Sequence, residues 1–228
     1  MITILLLILF IAIEVVNGQK WSICQNKWHQ IIGDDWIGKA FEYAHEADPN
    51  AILLYNDYSL ANPEKREGAV RLINALKKQG LKVDGIGMQC HYQLEYPAIA
   101  EIENSIVAFA EQNIGVHITE LDINVLHTEW GDHGADVRKR QQMKAELNPW
   151  PNGLPGHRQA ALTRRYEELF SVFKKHRDKI ERVTFWGISD RSSWLNNWPV
   201  KGRTNYPLLF DRELKPKPAY HAVIGVVE

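Results

Sequence analysis

Four short apolar runs set what this chain can fold into, and each ends in polar or aromatic side chains. They are Ala51-Ile52-Leu53-Leu54-Tyr55-Asn56-Asp57, Val83-Asp84-Gly85-Ile86-Gly87-Met88-Gln89, Val116-His117-Ile118-Thr119-Glu120-Leu121-Asp122 and Val183-Thr184-Phe185-Trp186-Gly187-Ile188-Ser189. Runs of this length and residue type read as strands. Helical patterns separate them, over Asp34 to Ala47, Asn62 to Gln79, Pro97 to Asn113 and His157 to Arg177, with Pro218 to Val226 closing the chain. Asn62 followed by Pro63 is a cap and a first-turn proline, and Gly80 is a helix-stopping glycine. Strand alternating with helix predicts a parallel α/β sheet, and continuous apolar runs predict strands covered on both faces. Such sheets place ligand sites beyond the C-terminal ends of their strands. Asn56, Gln89, His91, Glu120 and Trp186 all stand at such ends.

The third run carries the sharpest signal. Glu120 and Asp122 are two residues apart, so both point to one face of the strand. An acidic pair on an apolar strand is costly to bury unless the strand ends in a polar cleft. An ion pair at a strand mouth and a catalytic carboxylate are both open on these residues alone.

Composition narrows the classes. The formal net charge is −1, which gives no electrostatic footprint for nucleic acid. Eight tryptophans are many for 228 residues, and indoles are flat platforms on which sugar rings stack as well as core material. Two cysteines, Cys24 and Cys90, make no disulfide scaffold, and Cys90 is expected to be a buried thiol. The Gly-, Pro- and charge-rich stretch from about Asn124 to Pro155 is a long loop of the functional kind. His127, Glu129, Asp132 and His133 lie in it without metal-site spacing, so a solvated surface is expected there. No metal or cofactor is expected.

Residues 2–13 are almost wholly apolar and too short to span a bilayer comfortably. They suit the apolar region of a signal peptide, with Val16 and Gly18 as the small residues before a cut at Gln19. Export of a mature chain from Gln19 onward, secreted or extracytoplasmic, is the expectation. The competing reading is a strand ending in Glu14-Val15-Val16-Asn17. The chain thus divides into a leader-like segment, 1–18, and a single domain, 19–228.

Several strand ends together resemble the xylanases of glycoside hydrolase family 10. The matching stretches are Ile31-Ile32-Gly33-Asp34-Asp35-Trp36, Leu54-Tyr55-Asn56-Asp57-Tyr58, Gly85 to His91, Ile118-Thr119-Glu120-Leu121-Asp122, Thr184 to Asp190 with Ser193-Trp194-Leu195, Pro207 to Asp211 and Lys215 to Tyr220. The resemblance covers roughly Ser22 to Ile224. It implies a (β/α)8 TIM barrel and retaining hydrolysis of β-1,4-xylan or xylo-oligosaccharides. Retention uses two carboxyl groups roughly 5–5.5 Å apart, one as nucleophile and one as acid/base. By resemblance, Glu120 is the nucleophile, and His91 and Gln89 line the cleaved sugar's site, with His91 bonded to Glu120. Trp186 and Trp194 are that site's aromatic walls, Tyr58 stacks on the leaving-group side, and Asn56 is a polar strand end. Asp122 is expected to be a supporting, ion-paired carboxylate.

The chain also departs from the family pattern. The family's acid/base glutamate ends its fourth strand in a motif like Trp-Asp-Val-Val-Asn-Glu. Here the matching stretch is Ile13-Glu14-Val15-Val16-Asn17-Gly18, which puts Gly18 at the acid/base position and makes residues 1–18 alternatively a remnant of barrel strand four. The first three or four strand–helix units are not represented, so an incomplete barrel of the last four to five β/α units is expected. Open strand edges and a bare sheet face would then favour self-association over a well-packed monomer. Two rivals stand beside a weakened xylanase: a non-catalytic carbohydrate-binding protein and an inactive fragment.

Overall fold

The computed structural model describes residues 6–7, 13–16, 20–23, 26–128 and 141–228. Gly18, Cys24, Glu129, Asp132 and His133 lie outside the described residues, as does most of the leader-like segment. The chain forms two compact units. One comprises Met1–Cys90, Ala100–Thr119 and His176–Val183, and the other His91–Ile99, Glu120–Lys175 and Thr184–Glu228.

The first unit is built on parallel strands. Strand β1 (Leu6–Leu7) pairs with β4 (Leu53–Tyr58), and β4 with β5 (Gly85–Gln89). β5 in turn pairs with the first half of β7 (Gly115–Asn124). Between β1 and β4 in sequence, β2 (Ile13–Val16) and β3 (Lys20–Ile23) pair antiparallel, Val16 opposite Lys20. The short helix α1 (Lys27–Ile32) and α2 (Trp36–Ala47) follow. The helix pattern over Asp34 to Ala47 is thus α2 alone, and α1 is a further short helix ahead of it. Asn26 caps α1 by accepting from His29 N, and Gly33 ends it.

β4, β5 and β7 are buried almost throughout, as their apolar runs require. The glycines of β5 mark a close approach. A Cβ at Gly85 would lie 2.6 Å from the Gly115 carbonyl oxygen, and one at Gly87 would fall on the Asn56 side chain. Helix α3 (Pro63–Lys78) has its expected start, the Asn62 side chain accepting from Lys65 N at 3.1 Å, and Gly80 stops it with φ +78°.

The second unit holds the other half of β7 and a strand the apolar runs do not reveal, β6 (His91–Gln93). β6 runs parallel to β7, with His91 opposite Asp122 and Gln93 opposite Asn124. Helix α4 (Ile99–Ala110) lies across the unit boundary in sequence. Helix α5 (Gly156–Lys175) buries the expected stripe of Leu162, Tyr166, Leu169, Phe170 and Phe173. Its end meets α6 (Pro218–Val227), where Lys174 donates to the Val226 carbonyl at 2.6 Å.

Strand β8 (Ile180–Phe185) begins and ends earlier than the 183–189 run suggests. Trp186 N still donates to Leu121 O at 3.0 Å, but Gly187 then turns the chain with φ +139° and ends the pairing. β8 also corrects the expectation of burial on both faces: its residues are half-buried or exposed, and Ile188 beyond it is 75% exposed. No helix among the described residues is long and apolar enough to cross a membrane.

Candidate active site

The C-terminal half of β7 presents Glu120, Asp122 and Asn124 on one face, while Leu121 and Ile123 fill the other. Glu120 is 3% exposed and Asp122 1%, so both carboxylates are removed from bulk water and must be compensated. The compensation comes from His91, which the β6–β7 register sets opposite Asp122. Its Nδ1 lies 3.0 Å from Asp122 Oδ1 and its Nε2 3.2 Å from Glu120 Oε2.

One imidazole therefore bridges two carboxylates. Burial alone would push its pKa down; Asp122 first and Glu120 second outweigh that and raise it to about 9. At neutral pH the ring is an imidazolium that donates to both carboxylates.

The remaining oxygen of Asp122 is engaged as well: Trp194 Nε1 donates to Oδ2 at 2.7 Å. Asp122 is thus the ion-paired support expected of it. Two indoles flank His91. Trp194 lies 5.0 Å from it between ring centroids, and Trp186, 40% exposed, meets it edge-on at 6.2 Å. Trp194 is in turn stacked on the buried Trp198 at 4.9 Å with 15° between planes. Glu120, His91, Asp122, Trp186 and Trp194, picked out along the sequence, thus come together in one unit. Trp198 was legible only as a second tryptophan in the same loop.

The other sequence-derived residues belong to the first unit. Gln89, buried, ends β5 opposite Tyr58 at the end of β4. Tyr58 has the Lys65 ammonium 3.5 Å from its ring centroid. The same ammonium is 2.8 Å from Asp57 Oδ1, and Tyr55 OH donates to Asp57 Oδ2 at 2.6 Å. This buried group around Asp57 was missed because a lysine in the first turn of an exposed-looking helix reads as a solvated charge. Asn56 is buried and accepts from Thr119 Oγ1 at 2.7 Å. Cys90 is buried, as expected. Of the four loop residues considered for a metal, only His127 is described, and among the described residues no cluster of three or more His, Cys, Asp or Glu is placed to hold a metal ion.

Comparison with known proteins matches residues 11–226 to the family model for glycosyl hydrolase family 10. The chain is 45% identical over 204 residues to endo-1,4-beta-xylanase A of Xylanibacter ruminicola, covering 90% of this chain and 55% of that protein. It is 45% identical over 210 residues to an endo-1,4-beta-xylanase of Geobacillus stearothermophilus, covering 92% and 58%. Among solved structures, a family 10 endoxylanase from a sugarcane soil metagenome superposes with TM-score 0.86 at 48% identity, over 90% of this chain and 59% of that one. A xylanase of Paenibacillus barcinonensis complexed with a conduramine derivative gives TM-score 0.77 at 37% identity, over 90% and 57%. The chain therefore spans a little over half the length of the relatives it matches.

Proposed function

The chain belongs to glycosyl hydrolase family 10, and from that premise we propose that its site acts on β-1,4-xylosidic bonds of xylan and xylo-oligosaccharides with retention of configuration. Glu120 is the nucleophile. His91 and Asp122 aim it, and Trp186 and Trp194 wall the subsite of the cleaved sugar. Gln89, Asn56 and Tyr58 supply further sugar contacts, Tyr58 on the leaving-group side. The observation that supports this reading is the single imidazole held 3.2 Å from Glu120 and 3.0 Å from Asp122.

In the first step a Glu120 oxygen bonds to the anomeric carbon as the bond to the leaving oxygen breaks. The leaving oxygen departs with the bonding pair and needs a proton unless it is already a stable anion. In the second step water attacks the same carbon, its proton passes to solvent because no acid/base carboxylate is there to take it, the ester opens, and the Glu120 carboxylate returns. Gly18, at the position the family pattern gives to the acid/base, can supply no proton. General acid catalysis is worth roughly 10²–10⁴-fold, so turnover of xylan is feeble, whereas aryl xylosides need little protonation and react far better.

Initial rates on xylan and on an aryl xyloside, for the parent and Glu120→Gln, test this. Measurable release from the aryl xyloside, little from xylan and neither in Glu120→Gln is expected. Equal rates on both substrates would contradict a missing acid, and an active Glu120→Gln would remove Glu120 from its role. The same glycine favours a second reading, a carbohydrate-binding protein without turnover. Retarded migration in a gel containing xylan, with no sugar released, identifies that one.

A further inference from the structure

The wall of the candidate site rests on an irregular segment. Trp194 opens a single 3₁₀ turn, Trp194–Asn196, and Trp198 lies two residues beyond it. The segment itself is neither strand nor long helix. Its two indoles are nevertheless stacked, and one of them donates to Asp122.

Among the described residues Arg203 is the largest fully buried side chain, 2% exposed. Its Nε donates to Leu195 O at 3.0 Å and its Nη2 to Trp198 O at 3.1 Å. Its Nη1 reaches His127 O at 3.3 Å, in the segment just after β7. Among the described residues no carboxylate pairs with it, and burial alone draws its pKa down to about 10. A buried cation is costly, and among the described residues carbonyl dipoles offset the cost. A hydrophobic residue would fill the same volume without that penalty. What the guanidinium adds is a rigid fork that holds several carbonyls in one plane, which neither a lysine nor an apolar chain can do.

We propose that Arg203 is a positioning residue for the sugar-binding wall: it ties the 195–198 turn to the segment after β7 and so holds Trp194 against Asp122 and His91. The sugar part of this inference rests on the function proposed above. The turn has other anchors, since Asn196 Nδ2 donates to Asp190 O at 2.8 Å and Asn205 N to Asn196 Oδ1 at 2.9 Å. The segment can therefore stay folded when the fork is lost.

The test uses the full chain and the variants Arg203→Lys, Arg203→Gln, Trp194→Phe and Arg203→Lys with Trp194→Phe. Circular dichroism reads the exciton band of the stacked Trp194–Trp198 pair, and calorimetry reads xylotriose affinity. Arg203→Lys is expected to melt cooperatively, to lose the exciton band and to bind xylotriose about tenfold more weakly, and to cost less than about twofold further in the Trp194→Phe background, because residues acting through one group are not additive. An unchanged band and affinity, or a fully additive loss, would overturn the proposal. So would failure of both arginine variants to fold, which would make Arg203 a folding residue. If the parent binds no xylotriose, the sugar reading fails, and the exciton band alone decides whether Arg203 positions the stack.

Discussion

At the scale of single residues, the centre of the account is His91. Its folded pKa of about 9 lies above the ordinary 6.5, so its two ion pairs contribute stability that is fully present below 6.5 and lost as pH rises through 9. Melting temperatures of the parent and His91→Asn across that window test the point. The parent's advantage should be largest on the acid side and shrink toward zero above 9, and an advantage independent of pH would contradict the imidazolium bridge. Glu120, His91 and Asp122 were legible because their spacing and the family resemblance name them. That one ring would reach both carboxylates was not, since it depends on a three-residue strand setting His91 opposite Asp122. The Trp194 bond to Asp122 spans 72 residues of chain, and nothing local encodes it.

At the scale of elements, the strands with long apolar runs were legible and the short ones were not. β4, β5 and β7 bury nearly every side chain, so composition alone reveals them. β6 has three residues and α1 six, too few for any period to emerge. Gly87 shows how tightly the paired strands are specified. A Cβ there would fall on Asn56, whose carbonyl oxygen already accepts from Thr119. Gly87→Ala should therefore destabilise the fold by about 1–3 kcal/mol, read from urea midpoints, because a packed interior cannot absorb the extra methyl. Part of that loss should be relieved in Gly87→Ala with Asn56→Ala, where the two changes couple. A neutral Gly87→Ala would mean that β4 and β5 separate easily.

At the scale of the whole molecule, the fold is of the (β/α)8 type, and the chain supplies the C-terminal part of such a barrel. The alternation of strand and helix made the class legible. The exposure of β8 was not, because a strand's burial is set by the layers around it as well as by its own residues. Val183-Thr184-Phe185-Trp186 reads like any covered run, yet Thr184 is exposed and Trp186 is 40% exposed. We propose that this part of a barrel retains Glu120 as a nucleophile and lacks the acid that assists it. Such a site should form the glycosyl-enzyme ester from a substrate that needs no protonation. The most direct measurement is intact-protein and peptide mass spectrometry after incubation with an aryl 2-fluoro-xyloside. One added fluoroxylosyl group is expected, carried by the peptide containing Glu120 and absent from Glu120→Gln. No adduct, or an adduct on any other residue, would contradict it.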